Sequence, residues 1–173
     1  PDQSDNLGDP VLMATVNERQ KEAYLAPYVR GETVSAIGIS EPGAGADPSA
    51  MTTRAVRDGD DWIINGRKIW ITRAADADFT ILMAVTDTEK RARGGISAFL
   101  VDRDAPGFHL LRQIPMIGGQ STYEVVLEDC RVEGWKLLGQ EGAGFAPMQI
   151  RLGTRRIEMA AWSIGMAQRA LDM

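Results

Sequence analysis

The sequence predicts a mainly β protein: an antiparallel β-barrel or sandwich carrying helical segments at both ends. Three observations lead there. Short β-rich runs follow one another between about residues 34 and 138, with no helical pattern between them. Two such runs in "DWIINGRKIWIT" are joined by Asn65-Gly66, a pair suited to the type I′ turn of a two-residue hairpin. After "GQEGAGF" the apolar spacing changes to that of a helix and stays so to the end. A doubly wound sheet would need helices between its strands, so the Rossmann class is set aside.

The elements follow in order. Asn17 with Gln20 three residues later resembles a capping box opening "ERQKEAYLAPYVRG". Leu25, Tyr28 and Val29 give that helix an apolar face, Pro27 kinks or splits it, and Gly31 is a suitable stop. "VSAIGI" reads as a strand leading into "SEPGAGADP", and "MTTRAV" as the strand leaving it. Asn65-Gly66 is expected at a hairpin tip. "FTILMAV", "ISAFLVD" and "YEVVLED" supply further strands, with "EKRARGG" a solvated loop and "DAPGF" a turn. A long helix is expected from about Gly144, where Ile157, Ala160, Ala161, Ile164, Ala167 and Leu171 keep the helical period.

Composition narrows the function. In 173 residues, 44% are hydrophobic and 25% charged, which allows a true core and argues against general disorder. The net charge of -5 and the scattered basic residues argue against nucleic-acid binding. No apolar run approaches the roughly 20 residues needed to cross a bilayer, and no signal-peptide layout opens the chain. A single cysteine, Cys130, precludes an internal disulfide and fits a reducing compartment. One histidine, His109, gives a metal site or a Ser-His relay little to build on. Pro1 and Met173 both read as cut ends, so the sequence is read as a segment of a longer protein.

"SEPGAGADP", residues 40 to 48, is the stretch that calls for explanation. Gly43 and Gly45 are followed by Ala46, Asp47 and Pro48 and then by a strand pattern, so the dinucleotide fingerprint is not met. A plain turn and an anion-binding nest of backbone N–H groups both remain open from these residues alone.

The surroundings add a resemblance. "SEPGAGAD" resembles the "TEPGAGSD" signature of the acyl-CoA dehydrogenase family, and "DWIINGRKIWIT" is similar to its "Y-x-I-N-G-x-K-x-W-I-T" stretch. The likeness continues through "FLVDRDAPGF", "LEDCRVEGWKLLGQEGAGF" and "GMAQRALD", and reaches back to "PDQSDNLGDPVLMATVNERQKEAYLAPYVRGE". The resemblance implies a three-domain flavoenzyme. Residues 1–33 would end the N-terminal helical domain, 34–138 would form the middle β-barrel, and 139–173 would begin the C-terminal helical domain.

The resemblance also implies FAD between the barrel and the C-terminal helices. Ile37, Gly38, Ile39, Ser40, Glu41, Pro42, Gly43, Ala44, Gly45 and Ala46 match one flavin-binding segment, and Trp70, Ile71 and Thr72 match the other. Ser40 stands for a threonine whose hydroxyl bonds the flavin's polar edge, Thr72 would bond near N5, and Trp70 would pack beside the ring. Without the resemblance, Trp70 reads as a core tryptophan; Trp62, Trp135 and Trp162 carry no functional reading.

The implied substrate is an acyl-CoA, held in part by Ala46 and Arg156, and the implied reaction is α,β-dehydrogenation with hydride transfer to the flavin. Ala46 replaces a frequent serine, and Gly153 an aspartate that meets the CoA moiety. Arg155 stands where a subset of the family has its catalytic glutamate, and Glu158 reads as a surface carboxylate, so no catalytic residue is assigned and the base is expected beyond Met173. An electron-transfer partner such as an electron-transfer flavoprotein, a homo-oligomer (dimer or tetramer), and a cytoplasmic or mitochondrial-matrix location are also implied. A flavin-dependent monooxygenase or nitroalkane-type oxidase on the same scaffold, or a non-catalytic barrel module, are the rival readings.

Overall fold

The computed structural model describes residues 14–117 and 121–173; the quoted stretch before Ala14 lies outside them. Asn17 opens the helical tail as expected: its side chain accepts from the Gln20 N–H at 2.9 Å and the Gln20 side chain accepts from the Asn17 N–H at 3.1 Å. The tail consists of α1 (Glu18–Gln20), a π-helical turn (Lys21–Leu25) and α2 (Ala26–Val29). The irregularity expected at Pro27 takes the form of that π-turn just before it. Pro27 itself follows that π-turn directly, at the start of α2, where it can donate no hydrogen bond to the preceding turn. Gly31, at φ +74°, reverses the chain. The amide of Gln20 donates to the carbonyls of Trp135 and Leu137, both at 2.8 Å, and so fastens the tail to the β-domain.

Eight strands follow: β1 (Ser35–Gly38), β2 (Arg54–Asp58), β3 (Asp61–Thr72), β4 (Phe79–Val85), β5 (Ile96–Asp102), β6 (Phe108–Pro115), β7 (Ser121–Val132) and β8 (Leu137–Leu138). They run side by side in the order β6-β7-β3-β2-β4-β5-β8, with β1 on β4. The fold is mainly β and mostly antiparallel, as expected, with two amendments. The ladder among the described residues is not closed into a barrel, and β1 and β2 run parallel to β4. Parallel pairing is possible because neither strand is joined to β4 by a tight turn.

β1 pairs with Phe79–Leu82 and β2 with Val85, so both lie end to end along one edge of β4. The residues between them leave the sheet and return to the same edge. β4 is buried on both faces. Phe79, Ile81 and Met83 pack with Leu25, Leu100 and Met148, while Leu82 and Ala84 pack with Trp62, Ile64, Phe99 and Val101. Trp62 is a core residue, edge-on to Phe99 at 5.3 Å.

The hairpin expectation is corrected. Asn65-Gly66 lies inside β3, and the tip between β2 and β3 falls at Gly59-Asp60, with Gly59 at φ +65°. Asn65 instead exchanges hydrogen bonds with Asp129 of β7, accepting from its N–H at 2.8 Å and donating to its carboxylate at 3.0 Å. Gly66 lies at a bulge against β7 and close to Thr53, whose Cα would stand 2.6 Å from any added Cβ. Local turn preference is overridden here by pairing along a twelve-residue strand. Gly66→Ala is therefore expected to destabilise by about 1–3 kcal/mol through overpacking, checked by urea unfolding against Gly43→Ala, which meets nothing within 4 Å.

The helix expected from about Gly144 is present as α3 (Phe145–Asp172). Only its beginning is packed: Met148 and Arg151 are buried, whereas Ile157, Ile164 and Leu171 are exposed. Gly144 lets the helix start close to β5, since an added Cβ would lie 2.7 Å from the Ala98 nitrogen.

Candidate functional site

Two segments converge beside the β4 edge. The first leaves β1 through Ile39 and Ser40 and closes a tight turn. The Glu41 N–H donates to the Ala44 carbonyl at 3.0 Å, and the Ala44 N–H donates to that of Glu41 at 3.1 Å, with Pro42 and Gly43 between. Neither Gly43 nor Gly45 adopts positive φ, and the Ala44 N–H is already used. The stretch is thus a two-residue turn rather than an anion nest. Pro42, Gly43, Gly45 and Ala46 are exposed, while Gly38, Glu41 and Ala44 are buried.

The second segment is the end of β3. A register shift against β7 lies between Lys68 and Ile71, and inside it Trp70 takes φ +62°. This conformation is uncommon for a bulky residue and marks a place where the backbone re-aims a side chain. The indole is 52% exposed, so the core reading of Trp70 does not hold. Ile71 is buried against Ala36, Ala74, Ala77 and Val125, which leaves only its backbone for any ligand. Thr72 is half-buried and pairs with Thr122. The Ile69 N–H donates to the Ser40 carbonyl at 2.9 Å, so the two segments meet. The hydroxyls of Ser40 and Thr72 have no hydrogen-bond partner among the described residues.

Beneath this surface lies a buried ion pair that sequence reading missed. Lys68 is fully buried and its ammonium donates to Glu41 Oε1 at 2.8 Å and to the Ile39 carbonyl at 3.1 Å. The same carboxylate accepts from the N–H of Thr53 at 2.9 Å, the N–H of Thr52 at 2.6 Å and the Thr52 hydroxyl at 2.7 Å. Burial alone would push the Glu41 carboxyl up. The Lys68 charge and the hydrogen bonds of Lys68, Thr53 and Thr52 prevail and hold it down at about 2. Burial pushes the Lys68 ammonium down, to about 8, although Glu41 pulls it up. The carboxylate profits more from the contact because it collects the threonine donors as well. A signal did exist: strand alternation from Trp62 and Ile64 puts Lys68 on the inward face, and an inward lysine requires an anion.

On the opposite strand, Glu124 is buried and bridges Arg67 and Arg112, at 2.6 Å to the latter. Hydrogen bonds from both guanidinium groups hold its carboxyl below the usual range. Arg156 stands exposed on α3 and has no partner among the described residues, and nothing brings it against the two segments. Glu158 is paired with Arg155, in keeping with a surface carboxylate. Cys130 is buried and its thiol is pushed up to about 11 by burial, so it is not a nucleophile. No cluster of metal-ligating side chains occurs among the described residues. No helix among them is long and apolar enough to cross a membrane.

A mainly β domain with a helical tail before it and a helix after it, in which a tight turn meets a left-handed bulge that exposes an indole, is not of the Rossmann class. Residues 36–130 match the family described as acyl-CoA dehydrogenase, middle domain. The chain belongs to the acyl-CoA dehydrogenase family. It is 44% identical to (R)-benzylsuccinyl-CoA dehydrogenase of Thauera aromatica over 155 residues, 89% of this chain and 38% of that protein. Human mitochondrial short-chain specific acyl-CoA dehydrogenase is 39% identical over 158 residues, 90% of this chain and 38% of that one. Among solved structures, a probable acyl-CoA dehydrogenase from Mycobacterium abscessus superposes with a TM-score of 0.87 at 33% identity, covering 94% of this chain and 43% of that chain. The chain thus spans about two fifths of the length of these relatives.

Proposed function

We propose that this chain is the flavin-facing part of an acyl-CoA dehydrogenase, with residues 1–33 ending one helical domain, 34–138 forming the middle domain and 139–173 beginning a second helical domain. The observation that carries the reading is Trp70, half-exposed on a left-handed bulge that is hydrogen-bonded to the segment holding Ser40. A flavin needs an aromatic or apolar wall with a few fixed donors. Trp70 fits the wall, and the unpartnered hydroxyls of Ser40 and Thr72 fit the donors. The backbone from Ile37 to Ala46 and that of Ile71 complete the proposed FAD contacts. Bound there, FAD supplies the acceptor for the hydride that leaves the β-carbon of an acyl-CoA.

The work of this chain's own residues is orientation. Ser40 would donate to the polar edge of the ring, Thr72 would donate near its N5, and Trp70 would cover one side of it. Ala46 contributes a backbone contact to the substrate, and Arg156 a charge for its CoA moiety. Neither carboxylate of the first segment can act as base. Glu41 is locked to Lys68 and the threonine donors, and Asp47 accepts from its own turn at Ser49, at 2.9 Å from the N–H and 2.6 Å from the hydroxyl. The base is proposed to come from the C-terminal helical domain of the whole protein. Electrons would leave to an electron-transfer flavoprotein, and the whole protein would be a homo-oligomer, a dimer or tetramer, in the cytoplasm or the mitochondrial matrix.

The test is Thr72→Val in the full-length enzyme. Loss of one buried hydrogen bond is worth about 0.5–1.5 kcal/mol, so FAD affinity should fall about 2- to 10-fold and the rate of flavin reduction should change with it. An unchanged flavin spectrum, affinity and reduction rate would remove Thr72 from the site.

A further inference from the structure

We infer that Lys68 is a positioning residue for the flavin, acting through Glu41 and the Ile39 carbonyl to hold the turn of residues 40–46 against the Trp70 bulge. The inference rests on the flavin reading above and adds to it a residue that touches no ligand.

Its basis is geometric. The segment from Ile39 to Thr53 leaves the β4 edge and returns to it, so strand pairing secures both its ends. Its first residues are tied to β3 by few bonds. One is the backbone bond from the Ile69 N–H to the Ser40 carbonyl, 2.9 Å. The others converge on the Lys68 ammonium, which reaches the Ile39 carbonyl just before Ser40 and the Glu41 carboxylate just after it. Lys68 therefore grips the chain on both sides of the residue assigned to the flavin's polar edge. Two residues further along β3 stands Trp70. The Glu41 carboxylate extends the grip to Thr52 and Thr53, where the excursion rejoins the sheet. Ammonium and carboxylate are at most 3% exposed, which makes the link short and keeps it from being screened by solvent. A wall and a donor on separate segments are useful only if their separation is kept, and the ion pair spans that separation.

A buried ion pair could instead serve the fold alone, and the experiment separates the two roles. Lys68→Met and the double variant Lys68→Met/Glu41→Gln are made in the full-length protein. FAD dissociation is then measured for each by flavin fluorescence, and thermal unfolding with and without FAD. The single variant leaves a buried carboxylate without its counter-charge, whereas the double variant leaves no unpaired charge and should recover most of the lost midpoint. Affinity should not recover with it. In the double variant FAD should still bind about tenfold more weakly, equivalent to ~1.4 kcal/mol, with a smaller rise in midpoint on adding FAD. Recovery of stability together with wild-type FAD affinity would overturn the positioning role and leave Lys68 structural. A wild-type protein that binds no FAD would overturn the flavin reading and this inference with it.

Discussion

Glu41→Ala should lower the stability of the domain by about 3–5 kcal/mol, the range for breaking a buried pair by removing one partner. The substitution strands the Lys68 ammonium in a fully buried position and takes the acceptor from the N–H groups of Thr52 and Thr53. Urea unfolding would measure it. Glu32→Ala is the control: Glu32 is paired with Arg30 at 2.7 Å but on the surface, where solvent screens the contact, and its loss should leave the midpoint in place. The same carboxylate predicts a pH dependence. Glu41 is held at about 2 in the folded chain against 4.5 without these partners, so its contribution is full above pH 4.5. It is lost as the pH falls from there through about 2. Glu41→Gln should flatten that part of the acid stability profile. A profile identical to wild type would mean that the pair is not formed in solution.

The second expected result is that the 173-residue chain by itself does not turn over acyl-CoA. General-base catalysis is worth about 10²- to 10⁴-fold, and no carboxylate of the two segments proposed to meet the flavin is available to provide it. Glu41 and Asp47 are both committed to hydrogen bonds, while Glu158 is paired with Arg155 on α3. The exposed apolar face of α3, with Ile157 and Ile164, should at the same time promote association. The check is to purify the chain, record the flavin absorbance and mass in solution, and assay with an acyl-CoA and an artificial electron acceptor. Turnover above a boiled control would place a base inside these residues, and the expectation of a base outside them would fail.

Much of the framework was legible from local chemistry. Capping at Asn17 and Gln20, the strands "FTILMAV" and "ISAFLVD", and the helix after Gly144 each follow from patterns within one segment, where periodicity and caps act over a few residues. The family resemblance was legible for the same reason: its motifs are contiguous. Asn65-Gly66 shows the limit of local reasoning. Its turn preference is real, yet pairing of β3 along β7 and the close approach of Thr53 outweigh it and move the tip to Gly59-Asp60.

Where side chains from distant positions meet was settled only by packing of the folded chain. That Trp70 is exposed depends on a bulge against β7, which no property of "KIWIT" announces. That Glu41 is a buried partner of Lys68, twenty-seven positions away, depends on β1 and β2 sharing one edge of β4 and so folding the turn back over β3. Which residues prefer helix, strand or turn, and which motifs stand in order, can be read along the chain because those are set by neighbours in sequence. Sheet order, burial and the pairing of charges were decided in three dimensions, because the energy of a buried group depends on what surrounds it rather than on what precedes it.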